Sequence, residues 1–142
     1  MAAAPPAPAT TAAFVRRALA LLWAEAPAAH HRLVDALGPG AVLLDVDGER
    51  FAVEGRGDRA WAGRRPARRA TGRVVARDGV VLDLIDGRID LLGAVEAGRL
   101  DVRGDPEAVL RLARALTAFV EGAVRSPGLR DLLDAYRVRG GG

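Results

Sequence analysis

Four sets of residues carry enough chemistry to ask what they could do. The stretch Val42-Leu43-Leu44-Asp45-Val46-Asp47-Gly48-Glu49 puts two carboxylates, two residues apart, at the end of an apolar run. Paired carboxylates of this kind can act as nucleophile or general base and can hold a cation. Read as the start of a calcium loop, the stretch fails: the twelfth position from Asp45 is Arg56, where a bidentate Glu is required. The plainer reading is a two-residue hairpin turn at Asp47-Gly48, where both central positions want positive φ. His30 and His31 are the only histidines. Neighbours on a helix point about 100° apart, so the pair does not ligate one metal from one face, and solvent-exposed positions are expected for both. With no cysteine, disulfides and Cys-ligated zinc or iron–sulfur sites are excluded, and no metal site or cofactor is expected. Gly55, Gly57 and Gly63 make no phosphate loop, because no Gly-Lys-Ser/Thr follows them.

The fourth set is basic. Arg56, Arg59, Arg64, Arg65, Arg68, Arg69, Arg73 and Arg77 are opposed within their run only by Asp58. Trp61, Arg64, Arg65, Arg68 and Arg69 are the candidates for transient contact with a membrane surface, Trp61 at the interface and the arginines on anionic headgroups. Nucleic acid is a poorer fit, since aromatic stacking residues are scarce, at 4%, and the net charge is only +3. All 21 basic residues are Arg; with so much Ala and Gly the composition looks like a GC-rich bacterial coding bias.

These residues must be held by a chain of 142 residues, a length that suits one domain with a real core. Met1 to Ala9 is Ala/Pro-rich with neither a basic n-region nor an apolar core. A disordered tail over residues 1–10 is expected there, not a signal peptide. No run of about 18 apolar residues occurs, and the last residues, Val138-Arg139-Gly140-Gly141-Gly142, carry no peroxisomal address. A cytoplasmic location is expected, with a domain over 11–138 and a flexible end over 139–142.

Thr10 or Thr11 caps a helix running to about Ala26, with Phe14, Val15, Ala18, Leu19, Leu22 and Trp23 inward. Pro27 suits the first turn of a second helix that ends before Gly38, with Leu33, Val34 and Leu37 inward. Residues 41–46 and 50–54 form a hairpin, with Val42, Leu44, Val46, Phe51 and Val53 on one face. Residues 55–70 read as a loop or an irregular strand near Trp61, and Thr71 to Ala76 as a strand. Val80 to Ile85 is ambiguous: its β-branched residues favour a strand, but Asp78 could cap a short helix and Gly87 end it. Asp90 to Ala97 is a short helix and Arg99 to Arg103 a strand. Asp105-Pro106-Glu107 opens a long helix to about Val124, with the apolar stripe Val109, Leu112, Leu116, Phe119, Val120 and Ala123. After Pro127-Gly128, Leu129 to Val138 forms a last helix.

The stretch Asp83-Leu84-Ile85-Asp86-Gly87-Arg88-Ile89-Asp90, continued by Leu91 to Asp105, resembles the signature region of the sterol carrier protein 2 family. The shared features run in order: a short helix, a Gly-basic-apolar-Asp turn, a second short helix, Gly-basic-Leu, a strand, and Gly-Asp opening a long helix. The close match spans about residues 71–121, and a looser one reaches back to about residue 13. The chain is similar to a bacterial stand-alone member. The resemblance reads Val80 to Ile85 as helix. It implies an α+β fold: a five-stranded, mostly antiparallel sheet covered on one face by helices, with an apolar tunnel between the layers. One departure is Val95, where the family often has a bulky aromatic.

The resemblance further implies a non-catalytic carrier for a sterol, fatty acid, acyl chain or similar lipid. The expected ligand wall, chosen by apolar facing, is Leu84, Leu92, Val95, Val102, Leu112, Leu116 and Phe119, with Leu133 at the mouth. Two other readings stand beside it: an interaction module with a filled core, and a domain presenting an apolar substrate to a separate enzyme. The stretch around Asp45 and Asp47 also resembles the first motif of haloacid dehalogenase phosphatases. That family needs a later Lys and a later acidic pair, and this chain has no Lys.

Overall fold

The computed structural model describes residues 10–77 and 79–140. Residues 1–9, most of the expected tail, lie outside them, as do Asp78, the expected cap, and residues 141–142. The elements run α1 (Thr11–Glu25), α2 (Pro27–Leu37), β1 (Ala41–Val46), β2 (Glu49–Arg56), β3 (Arg59–Gly63), β4 (Ala70–Ala76), α3 (Val80–Ile85), α4 (Leu91–Glu96), β5 (Leu100–Gly104), α5 (Pro106–Arg125) and α6 (Pro127–Gly140). The five strands make one sheet in the order β3-β2-β1-β4-β5. Only the β1–β4 pairing is parallel; the other three are antiparallel, as the mostly antiparallel expectation had it.

Local chemistry explains most element ends. The Thr10 side chain accepts from the Ala13 N–H at 3.1 Å and opens α1. Asp90 does the same for α4 through Gly93, at 2.7 Å. At the β1–β2 turn Asp47 and Gly48 both have positive φ, 50° and 86°, the hairpin geometry their types predict. The start of α6 is capped across space. Ser126 Oγ accepts from the Leu129 N–H at 3.2 Å and donates to the Glu25 carboxylate at 2.7 Å, and Gly128 N–H donates to the same carboxylate at 2.8 Å. These bonds, Ser126 first and Gly128 second, hold Glu25 below the usual carboxylate range, and they fasten the start of α6 to the end of α1.

Residues 55–70 are more regular than expected. The strand β2 continues to Arg56, a second two-residue turn follows at Gly57-Asp58, and β3 pairs back onto β2 from Arg59 to Gly63. Its inward residues are Ala60 and Ala62, too small to mark an alternating apolar pattern among arginines and glycines. The chain then crosses from β3 to β4 over the sheet face turned away from the helices.

The core falls into two clusters. A helical one gathers Phe14, Leu19, Leu22, Leu33, Leu37, Leu129 and Leu133 with Ala115, Ala118 and Ala123 of α5. A sheet cluster gathers Val42, Val46, Phe51, Val74, Val80 and Leu100. The stripe expected to bury α5 does not do so. The buried residues of that helix are Ala108, Ala115, Ala118, Gly122 and Ala123, while Val109, Leu112, Leu116, Phe119 and Val120 are half-buried. The physical reason is close approach. A Cβ on Gly122 would overlap Leu22 Cδ1 and stand 3.0 Å from Ala29 Cβ, so α5 seats its small residues on α1 and α2 and turns its bulk aside.

Replacing Gly122 by Val should therefore lower the urea midpoint, with a loss of about 1–3 kcal/mol from overpacking. An unchanged midpoint would mean that α5 can move away from Leu22 at no cost.

Candidate functional site

The half-buried side chains of α5 have counterparts on α3. On α5, Leu112 joins the sheet cluster and Phe119 the helical one, with Leu116 between them on the same flank. On α3, Val81 and Leu84 join the sheet cluster, and Leu82 and Ile85 the helical one. Both helices thus straddle the seam between the clusters, and each leaves its larger apolar side chains partly open there. Val102 of β5 and Leu91 of α4 continue the seam on the sheet side. α5 packs chiefly on α2, and α4 on β5, so neither layer closes the seam by pressing α5 against α3.

Ion pairs position α3 at its polar ends. Asp83 accepts from Arg99 of the segment before β5 at 2.6 Å, and Arg88 stands 3.7 Å from the same carboxylate. Arg137 of α6 donates from Nε to Asp86 at 3.2 Å, with its NH2 on the other oxygen. The bonds to Asp86 raise the Arg137 guanidinium above its ordinary pKa. A six-residue helix with little buried surface is thereby placed between the last helix and the last strand.

Of the residues expected to line a ligand wall, Leu84, Val102 and Leu112 pack on the sheet cluster and Phe119 on the helical one, while Leu116 is half-buried and belongs to neither. Leu92 and Val95 are 67% and 40% exposed. With Leu91 half-buried and Ala94 fully buried, Leu92 falls about 100° away on the solvent side of α4. Leu133 is 3% exposed within the helical cluster, on the helix whose Tyr136 stacks on Phe14 at 4.3 Å between ring centroids. The expected ligand wall left out Leu82 and Ile85 of α3, which pack on the helical cluster, and Leu91 of α4, which packs on the sheet cluster.

The basic segment is organised around one carboxylate. Glu54, on the helix-free face of β2, is 0% exposed. It accepts from the Ala67 N–H at 2.8 Å, the Arg68 N–H at 2.9 Å and Arg56 Nε at 2.7 Å. Burial pushes its pKa up, but the bonds from Ala67, Arg56 and Arg68 outweigh it, and the net shift is downward. The Arg56 guanidinium lies 3.6 Å from the centroid of the Trp61 ring, and that ring runs along the strand over Gly63, where a Cβ would collide with it. Trp61 is therefore half-buried beneath Arg56, while Arg64, Arg65, Arg68 and Arg69 are exposed along the crossing loop.

His30 departs from the exposed position expected of it. It is 2% exposed, packed edge-on against Trp23 at 5.0 Å, and its Nε2 accepts from the Ala60 N–H at 3.3 Å. Desolvation, followed by the charge of Arg59, lowers its pKa, which favours the neutral ring that accepts this bond. His31 is exposed and lies 3.4 Å from Asp35. Among the described residues no group of three acidic or imidazole side chains could hold a metal ion. Asp45 and Asp47 do what the turn requires: an Asp45 oxygen accepts from the Gly48 N–H at 3.1 Å. No described helix is long and apolar enough to cross a membrane.

No family model and no curated protein matches the chain. Solved structures do. A UbiJ-SCP2 ubiquinone synthesis protein superposes with a TM-score of 0.57 at 18% identity, over 76% of this chain and 94% of that one. Sterol carrier protein 2 from Yarrowia lipolytica, in its apo form, gives 0.53 at 14% identity over 75% and 87%. The sterol carrier protein domain 2 of Helicoverpa armigera gives 0.57 at 11% identity over 77% and 87%.

The two buried acceptors make separate pH predictions. A depressed His30 contributes stability that is complete above its unfolded pKa of about 6.5 and is lost as pH falls toward its folded value; for Glu54 the loss begins below about 4.3. The urea midpoint should fall in two limbs on acidification. His30→Gln should remove the upper limb only. Glu54→Gln should weaken the lower limb and cost about 1–3 kcal/mol at neutral pH. An upper limb that survives His30→Gln, or a lower limb no weaker in Glu54→Gln than in the unaltered protein, would sink this account.

Proposed function

Starting from the sterol carrier protein 2 fold of this chain, we propose that it is a carrier that holds one apolar ligand, an acyl chain, sterol or isoprenoid, in the seam between α3 and α5, and that it catalyses no reaction. The observation that supports the reading is the inversion on α5: its small residues are buried while Leu112, Leu116 and Phe119 are left half-buried, Leu112 in one core cluster with Leu84 and Phe119 in the other with Leu82 and Ile85. A helix whose only task was to fill a core would bury its bulk. Each methylene a ligand buries against this wall gains about 0.8 kcal/mol, so few polar contacts are needed. The names of the proteins that share the fold support sterols and ubiquinone-type isoprenoids as the first ligands to try.

Native mass spectrometry of the purified protein, followed by lipid extraction, tests the reading. A co-purified lipid near one-to-one is expected. An unliganded mass, with no binding of an added fluorescent fatty acid, would overturn it. Leu116→Trp should fill the seam and weaken fatty-acid binding by at least about tenfold with the far-UV CD unchanged, whereas Leu92→Trp, on the exposed side of α4, should leave binding as it was.

A further inference from the structure

The helices cover one face of the sheet, and the crossing loop held by Glu54 covers one end of the other. What remains is an uncovered half-face. By strand alternation it carries Leu43 and Asp45 of β1, Arg50 of β2, Arg73 and Val75 of β4, and Asp101 and Arg103 of β5. Four adjacent strands, about 4.8 Å apart, make it about 15 Å wide. Two shallow depressions lie side by side on it. One, of about 230 Å³, has Leu43, Asp45, Arg50, Arg64 and Arg73 in its wall. The other, of about 200 Å³, has Arg73, Val75, Arg77, Asp101 and Arg103. Arg73 belongs to both, is exposed, and its side chain forms no hydrogen bond or ion pair among the described residues.

We infer that this half-face docks an acidic segment of a partner protein, with Arg73 as the central contact. The sign of the partner follows from charge: five arginines face two carboxylates, and those two are engaged by Arg50 at 3.5 Å and by Arg103 at 3.2 Å. Its class follows from pattern. Each depression holds one aspartate among its arginines, and a uniformly anionic partner, whether a phospholipid surface or a nucleic-acid backbone, would set a negative charge against both. A protein segment can place carboxylates over Arg73 and Arg64 and leave hydrogen-bond donors opposite Asp45 and Asp101. Leu43 and Val75, both half-buried, supply the apolar floor usual in protein interfaces, where arginine is also enriched. Position agrees: the proposed ligand seam lies on the opposite side of the sheet, so a partner here leaves the seam free. This last argument alone rests on the carrier reading.

The test uses the full chain and a fluorescein-labelled peptide of alternating Glu and Ser, read by anisotropy at two salt concentrations. Saturable, salt-sensitive binding is expected. The Arg73→Glu, Arg103→Glu double variant should weaken it by about tenfold or more, while Arg114→Glu, Arg125→Glu, with the same charge change on the helix side, should stay within about twofold. All four positions are exposed, and Arg73→Gln alone, the milder change, should give an intermediate loss. Absence of saturable binding overturns the inference, as does an equal loss in the helix-side variant. Tighter Arg73-dependent binding of phosphatidylserine vesicles or of single-stranded DNA than of the peptide would overturn the assignment to protein. Because the peptide is titrated without lipid, failure here leaves the seam untouched, and failure of lipid binding leaves this result standing.

Discussion

The architecture turns on how near α5 comes to α1 and α2. That approach is set by side-chain size: at Gly122 there is room for hydrogen alone, since Leu22 and Ala29 occupy the space a Cβ would take. Ala115 and Ala118 continue the same surface on the helix. Once these residues face the helical layer, the 100° step of the helix fixes where Leu112, Leu116 and Phe119 go. They turn to the flank that borders the sheet and α3. Had the small residues been large, α5 would have stood off, and its bulky stripe would have been free to rotate into the core. The partly open seam is thus a consequence of a tight contact elsewhere, not of loose packing at the seam itself.

A second constraint acts on the other side of the sheet. The parallel pair β1–β4 has the whole β2–β3 hairpin between its strands in sequence. The chain returning from β3 must cross two strands to reach β4, and it does so where no helix covers it. A crossing loop with free N–H groups over a sheet needs an acceptor. Glu54 supplies one, buried and bonded to Ala67, Arg68 and Arg56 together. Arg56 in turn lies over Trp61, so one carboxylate organises the loop, the guanidinium and the ring. Much of what reads as a basic run in sequence is the lid over this acid.

Which parts could be read from sequence follows from how local their causes are. The Asp47-Gly48 turn, the Thr10 cap and the Pro-initiated helices are fixed by the residues themselves, and they stand as expected. The short helix at Val80–Ile85 was legible only through resemblance, because two Val and one Ile argue for a strand and the ion pairs that hold it, to Arg99 and Arg137, come from far along the chain. The β3 strand was hidden because its inward residues are alanines. Helix facing was the weakest inference. On α4, fewer than two turns long, periodicity does not choose between Leu91 and Leu92. On α2 it cannot tell that His30 meets the edge of β3 while His31 meets water. On α5 the bulky stripe looked like the core because hydrophobicity was weighed and clearance was not.

These two constraints give the sheet two unlike faces. On the helical side, the open surface is apolar and lies between elements held apart by α5's commitment to α2. On the other side, the open surface is charged and begins where the Glu54-held loop ends. A sheet transmits little steric change through its thickness when its strands are fully paired, as β2, β1 and β4 are here on both edges. On the helical side, α3 is tied to the entry of β5 by the bond from Arg99 to Asp83. That ion pair and the packing of Val81 and Leu84 in the sheet cluster both join α3 to the end of the sheet that carries Asp101 and Arg103.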